Sequence, residues 1–187
     1  MSPLLERASE TLKIEIAGLE GLIERLDAEF EQAVNLLFAC QGKVILAGMG
    51  KSGLIAQKIA ATLTSTGTPS LFLHAGESSH GDLGIITRQD VVIVFSYSGE
   101  TSEVVQMIGH IHAIGVPLIA MTGKPNSTLA KAATVHLSIA VEKEACPLGL
   151  TPTASSTATL ALGDALAMCL LELRKFREDD FAMFHPG

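Results

Sequence analysis

Two short segments of the sequence combine glycine with hydroxyl side chains, a composition suited to holding an anion. The first is Gly48-Met49-Gly50-Lys51-Ser52-Gly53, and the second is Ser96-Tyr97-Ser98-Gly99-Glu100-Thr101-Ser102. Glycine lets the backbone approach a ligand closely, and a helix that begins there offers N–H groups and partial positive charge. The second segment carries four serine and threonine hydroxyls, of which we expect one or two to cap a helix. Together the segments predict a phosphate site, although a tight turn without ligand stays open for the first alone.

The first segment also matches two nucleotide-binding patterns, and neither fits its surroundings. A P-loop needs glycine five residues before Gly50, and that position is Ile45. A dinucleotide site needs an acidic residue at the end of the second strand, which reads Leu73-His74-Ala75. We therefore expect neither nucleoside triphosphate nor NAD to bind.

Composition excludes several further classes of protein. The 187 residues carry 13 basic and 20 acidic side chains, a net charge of −7, which disfavours a general nucleic-acid or anionic-membrane binder. The three cysteines form no C-x-x-C pair, which favours a reducing compartment. We find neither a signal peptide nor an apolar stretch approaching the roughly 18 residues of a membrane span, and we expect a cytoplasmic protein.

Alternating apolar runs and helical segments predict the architecture that positions these loops. Strands are predicted at 44–47, 70–73, 91–95, 118–121 and 135–139, and helices at 54–65, 101–114, 127–133 and 154–176. Such alternation is typical of an α/β fold with a doubly wound, mostly parallel five-stranded sheet and helices on both faces. The loops that leave the carboxyl ends of the strands should then form the ligand site.

Residues 1–40 form a separate N-terminal helical segment in the prediction. Apolar residues recur at steps of three and four from Leu4 to Leu37, on one long helix or on two helices broken near Gly18 and Gly21. This stripe could pack on its own domain or pair with a second subunit, and both alternatives stay open. We expect one domain over residues 1–187.

The two glycine-hydroxyl segments resemble the sugar isomerase (SIS) family of phosphosugar-binding domains. The strings L-F-L-H-A-G-E-S-S-H-G-D-L-G, K-E-A-C-P-L-G-L-T-P-T-A-S-S and F-H-P-G are similar to those of bacterial arabinose-5-phosphate isomerases. The likeness runs from about residue 43 to residue 187. It implies interconversion of D-ribulose 5-phosphate and D-arabinose 5-phosphate, the entry to Kdo of lipopolysaccharide. Many relatives continue into a pair of CBS domains, and residues 1–187 contain none.

The resemblance also assigns roles to individual residues. It implies a cofactor-independent homotetramer with shared active sites, and zinc uptake at His74, which we expect to inhibit. Positions that the family associates with catalysis are Lys51, His80, Glu103, Glu144 and His185. Positions that contact the substrate are Gly50, Ser52, Gly67, Thr68, His74, Ser96, Ser98, Gly99 and Thr101. Tyr97 departs from the family pattern, since a small polar residue is expected between the two serines.

Moving a carbonyl between C1 and C2 requires a base, an oxyanion donor and no redox cofactor. Glu144 is our first choice for the base, because burial beside Cys146 and Leu148 would raise its pKa. His80 and His185 are candidates for opening the sugar ring or donating to the carbonyl oxygen, and Lys51 for neutralising charge.

Several of these residues also have a purely structural interpretation. By position alone, Glu103 is better explained by the dipole of the helix that it begins. A metal site between His74 and His80 lacks an evident third ligand. We expect Cys146 to be a buried small hydrophobe, since isomerisation needs no nucleophile.

Two other functions remain open. One is isomerisation of a hexulose or heptose phosphate on the same scaffold. The other is a non-catalytic domain that senses a sugar phosphate and signals through its N-terminal helix.

Overall fold

The computed structural model describes residues 2–185, apart from the side chain of Ser79. Its centre is a sheet of five parallel strands in the order β2-β1-β3-β4-β5. The predicted α/β class and all five strands are confirmed, with ends shifted by at most one residue. The strands are β1 (Val44–Gly48), β2 (Ser70–His74), β3 (Val91–Phe95), β4 (Leu118–Thr122) and β5 (Val135–Ser138).

Helices cover both faces of the sheet, because alternate strand residues point to opposite sides and are apolar on both. One face packs against α1 (Pro3–Glu24), α2 (Ala28–Ala39), α3 (Gly50–Ser65) and α6 (Ala154–Leu173). The other face packs against α4 (Ser102–Ile114) and α5 (Thr128–Ala132). Two 3-10 segments, Ala75–His80 and Asp82–Ile85, follow β2, and α7 (Glu178–Phe184) ends the described chain. The sequence did not predict these last three elements.

The N-terminal segment consists of two helices, but the predicted break at its glycines is wrong. Helix α1 continues through Gly18 and Gly21, and the chain turns at residues 25–27 instead. There Asp27 caps α2 by accepting the Glu29 N–H at 2.9 Å. Gly18 is buried because α1 approaches the chain closely: a Cβ at Gly18 would lie 3.3 Å from the Val141 side chain.

The sequence suggested no apolar stretch approaching the length of a membrane span. Helix α6 corrects this, since by length and composition alone it could cross a membrane. It has 20 residues and a window of mean hydropathy 1.4. Half of that window is buried within the domain, where α6 packs between α1 and α3. These features are also those of the core helix of an α/β domain.

Helices α3 and α6 run side by side in the same direction. Lys58 forms an ion pair with Asp164 at 2.6 Å, and near the other end Arg174 Nε donates to Thr68 Oγ1 at 2.9 Å. The sequence offset is 106 residues in both pairs. The same offset places the first turn of α6 beside that of α3, at the carboxyl edge of the sheet.

Candidate active site

The two glycine-hydroxyl segments lie next to each other, as predicted, because β1 and β3 are neighbours. Gly48 at the end of β1 pairs in register with Phe95 at the end of β3. The chain leaves β1 towards β2 on one side, and β3 lies on the other, so this is the point where the strand order reverses. In open α/β sheets such a point is the usual ligand crevice.

The segment after β1 forms the first turn of α3. Gly50 adopts a φ of +52°, which favours glycine, and Gly53 packs tightly on β1: a Cβ there would lie 3.0 Å from the Gly48 carbonyl oxygen. The capping position is Met49, whose side chain accepts no hydrogen bond. Among the described side chains of residues 2–185, none hydrogen-bonds to Ser52 or Lys51. The N–H groups of this turn, the Ser52 hydroxyl and the Lys51 charge therefore lie together without an acidic partner.

The segment after β3 is a turn held by its own hydroxyls. Ser96 Oγ accepts the Gly99 N–H at 3.1 Å and lies 2.9 Å from Thr101 Oγ1, while Ser98 Oγ accepts the Glu100 N–H at 3.2 Å. Gly99 has a φ of +66°. Thr101 is the capping residue of α4 but forms no side-chain cap, so the expected capping of α4 by these hydroxyls is not found. The hydroxyls instead fix the shape of the turn.

Glu103 and His74 lie beside these two helix starts. The Glu103 carboxylate folds over the first turn of α4, where the Ser102 hydroxyl donates to it at 2.8 Å. Its own backbone N–H, then Ser102, and finally the charge of nearby His74 hold the pKa of Glu103 below its usual value. His74, exposed at the end of β2, packs edge-on against Phe72. The position of Glu103 in the first helical turn is as predicted, and its carboxylate is ionised at neutral pH.

Glu144 caps helix α6, which corrects the pKa expected for it. Oε2 accepts the Thr153 N–H at 2.8 Å, the Thr153 hydroxyl at 3.0 Å and the Ser155 N–H at 3.3 Å. Partial burial raises the pKa of Glu144, as predicted, but the hydrogen bonds from Ser155 and Thr153 outweigh that effect and lower it overall. Glu144 is therefore an ionised carboxylate at the start of α6.

Cys146 is half-exposed and not the buried hydrophobe that we expected. The backbone N–H groups of Thr151, Leu150 and Leu148 lower the pKa of its thiol to about 7. The loop that carries Glu144 thus also stabilises a thiolate.

Of the remaining predicted residues, three lie away from the carboxyl edge of the sheet. His80 is exposed at the end of the first 3-10 segment, beyond β2. Gly67 and Thr68 precede β2 and lie at the opposite, amino edge of the sheet, where Thr68 is buried and bonded to Arg174. His185 stacks on Phe181 at 3.9 Å, while the same helix, α7, packs through Phe184 near the start of β2. A single chain does not bring Gly67, Thr68 or His185 to the carboxyl edge.

The residues around His74 do not form a zinc site within one chain. Across residues 2–185, no three histidine, cysteine, aspartate or glutamate side chains are grouped to hold a metal ion. Four-coordinate zinc needs three or four such ligands.

Sequence reasoning missed the role of Glu100. Its Oε1 accepts the Thr128 N–H at 2.7 Å, so it caps α5 together with Ser127, and this bond holds the pKa of Glu100 below its usual value. The partners are 28 residues apart, and no local pattern links them.

Several known proteins are similar to this chain in sequence or in fold. The arabinose 5-phosphate isomerase KdsD of Salmonella typhi is 53% identical over 182 residues, and that of Pseudomonas aeruginosa is 52% identical over 183. These alignments cover 97% and 98% of this chain but 56% of each relative, so the chain spans about half the length of the curated relatives it matches. The structure of E. coli CFT073 c3406 in complex with arabinose 5-phosphate superposes with a TM-score of 0.95 at 42% identity, over the full length of both chains.

The sequence also matches the profile of a protein family. The SIS domain matches residues 37–169, a stretch that contains the whole sheet, both glycine-hydroxyl segments, Glu103 and Glu144. The resemblance seen in the sequence is thereby confirmed. The chain belongs to the SIS domain family.

Proposed function

We propose that this chain interconverts D-ribulose 5-phosphate and D-arabinose 5-phosphate. The observation that carries the proposal is the pair of adjacent helix starts at the ends of β1 and β3, with ionised Glu103 and Glu144 beside them. The relatives named arabinose 5-phosphate isomerase and the similar structure in complex with arabinose 5-phosphate support the same substrate.

The phosphate would bind between the α3 start and the 96–101 turn. Backbone N–H groups and the hydroxyls of Ser52, Ser96, Ser98 and Thr101 suit a dianion in a net-acidic protein, with Gly50 and Gly99 permitting close approach. Lys51, exposed on the first turn of α3, would balance charge on the phosphate or on the enediolate. This anchoring holds the reacting carbons in place, and such positioning lowers the barrier to reaction.

One carboxylate would then carry the proton between C1 and C2. In the direction from ribulose 5-phosphate it removes a proton from C1, the proton of the O1 hydroxyl passes to O2 as the C1–C2 enediolate forms, and return of the carbon-bound proton to C2 gives the aldose. Glu144 keeps its place as the proposed base, with Glu103 as the second carboxylate. Because its pKa is lowered, Glu144 is ionised at neutral pH and can accept the proton, but it is a weaker base than the raised pKa expected from the sequence would have made it.

His80 and His185 are proposed to open the sugar ring or to donate to the carbonyl oxygen. His185, Gly67 and Thr68 lie away from the carboxyl edge of their own chain, which supports sites shared between subunits of a homotetramer. Helix α1 supports assembly as well, since Leu4, Leu12 and Ile23 expose 83%, 61% and 69% of their surface. Light scattering of the purified chain would give the number of subunits.

Cofactor use, inhibition by zinc and metabolic role belong to the same proposed function. A proton shift between neighbouring carbons needs no cofactor, and we propose that added zinc inhibits by occupying His74. The product would feed the synthesis of Kdo for lipopolysaccharide, in the cytoplasm.

One experiment tests the activity and its proton route together. The purified chain is incubated with ribulose 5-phosphate in deuterated water, and the products are identified by NMR. We expect arabinose 5-phosphate, with deuterium at C2 in the fraction of turnovers in which the proton on the base exchanges with solvent before it is returned. A panel of hexulose and heptose phosphates tests the alternative isomerases. Sugar-phosphate binding without turnover of any substrate would contradict the proposal and favour a non-catalytic sensor.

A further inference from the structure

Tyr97 lies within the 96–101 turn, but its side chain points away from the hydroxyl groups that line it. The ring packs over Gly123, the residue after β4: a Cβ at Gly123 would lie 2.5 Å from the ring. The Gly123 N–H in turn donates to the Tyr97 carbonyl at 2.9 Å. The residue therefore joins the end of β3 to the end of β4 through both backbone and ring.

The Tyr97 hydroxyl reaches one strand further. It accepts the N–H of Val141 at 3.3 Å, just after β5 and three residues before Glu144. Within residues 2–185, this is the one hydrogen bond that joins the 96–101 turn to residues 140–153, the segment that carries Glu144. Val141 is held from the other side by α1, through its contact at Gly18.

The Glu144 segment is also held by two helices: Arg25, at the end of α1, donates to the Ala140 carbonyl at 2.6 Å, and the start of α6 holds Glu144 itself. Glu144 is bonded to Thr153 and Ser155, and Ala145 N–H donates to Thr153 Oγ1 at 2.8 Å. These bonds fix the carboxylate relative to α6 but not relative to the phosphate turn. Packing of α6 beside α3 sets part of the distance between an anchored phosphate and the base, and the Tyr97 hydroxyl adds a direct link from the 96–101 turn.

We infer that Tyr97 is a positioning residue that sets the Glu144 segment relative to the phosphate turn through its hydroxyl bond to Val141. The inference rests on the proposed isomerase function and adds a residue to it. Among the described residues, the Tyr97 hydroxyl bonds to Val141 and not to Glu144. Its loss should therefore slow the chemical step and leave phosphate binding in place.

The test uses Tyr97→Phe, which keeps the ring over Gly123 and deletes the hydroxyl. We expect kcat to fall by about tenfold with KM changed by less than about twofold. Hydrogen–deuterium exchange should become faster in peptides covering residues 140–145, because the Val141 N–H loses its acceptor. Gly123→Ala, which displaces the ring without removing the hydroxyl, should reproduce both effects.

Thr134→Val is the matched control. The Thr134 hydroxyl also accepts a backbone N–H, that of Leu118 at 3.1 Å, but at the amino edge of the sheet. Its removal should leave kcat and the exchange of residues 140–145 unchanged. Since the chain has one tyrosine and no tryptophan, tyrosine fluorescence reports on Tyr97 alone. Titration of the wild-type chain with inorganic phosphate should change that signal.

The outcomes separate this inference from the proposed function. Unchanged kcat and exchange in Tyr97→Phe, with an active wild-type chain, would overturn the role of Tyr97 and leave the isomerase proposal intact. An inactive wild-type chain whose 140–145 exchange still depends on Tyr97 would overturn the isomerase proposal and support the link. A fall in kcat without faster exchange would mean that the hydroxyl acts in another way, and would also overturn the inference.

Discussion

Four helices begin at the carboxyl edge of the sheet, and they differ in whether a side chain from elsewhere in the chain accepts their first-turn N–H groups. The starts of α5 and α6 are closed by carboxylates from elsewhere in the chain, Glu100 and Glu144. The α3 start receives no side-chain acceptor from residues 2–185, and at α4 only the adjacent Glu103 folds over the first turn. First-turn N–H groups cannot serve two anions at once. The N–H groups at the α3 start therefore mark where an external anion can bind, beside the 96–101 turn and at the point where the strand order reverses.

The two capping glutamates give the sharpest contrast. Glu144→Gln should lower kcat at least about 100-fold, since the base is lost, whereas Glu100→Gln should keep kcat within about threefold. Both glutamines retain an oxygen that can accept the helix N–H, so both variants should fold. The measurement is isomerase kinetics alongside thermal unfolding. Equal losses of kcat would mean that Glu144 only caps a helix.

A second comparison uses two serines, one at the uncapped start of α3 and one at the capped start of α5. Ser52→Ala should raise KM about tenfold, because it removes a hydroxyl donor to a charged phosphate, with little change in stability. Ser127→Ala should lower the free energy of unfolding by about 1 kcal/mol and leave KM within about twofold, because Ser127 caps α5. Kinetics and urea unfolding of both variants test this crossed pattern. A loss of stability in Ser52→Ala without a change in KM would contradict it.

The pH dependence of stability separates the two kinds of start as well. Because the folded-state pKa of Glu144 is lowered, its contribution is present above the usual glutamate value of 4.5 and is lost as pH falls through the folded value. Glu144→Gln should therefore show a weaker decline in the free energy of unfolding on acidification. The difference should be no more than about 1 kcal/mol, since solvent screens the half-buried carboxylate. Parallel curves for the two proteins would contradict the assignment.

The smallest of the expected effects concerns the reactivity of a thiol in the loop between β5 and α6. The thiol of Cys146, with a pKa of about 7, should react with iodoacetamide faster than Cys40 and Cys169 at neutral pH, with a midpoint near that value. Peptide mapping after brief labelling gives the relative rates. Equal rates for the three cysteines would show that the backbone N–H groups of the loop do not stabilise an anion.

The sequence predicted the sheet well because its strands are continuous apolar runs, buried on both faces. It also predicted that the segments after β1 and β3 form one site. Both predictions depend on local sequence patterns. Because the strands are short, their predicted ends differ little from the observed ones.

What it missed depends on contacts between distant residues. The pKa of Glu144 is set by Thr153 and Ser155, nine and eleven residues further on, which burial alone could not indicate. The capping role of Glu100 depends on Thr128 in the same way. The break between α1 and α2 was misplaced because Gly18 serves close packing rather than helix termination.

A crystal structure of this chain with arabinose 5-phosphate would locate the anion among the four helix starts. We predict that the phosphate lies between Ser52 and the 96–101 turn, with Glu100 and Glu144 still bonded to α5 and α6. A phosphate at the α5 or α6 start, or away from the carboxyl edge, would contradict the assignment of the site.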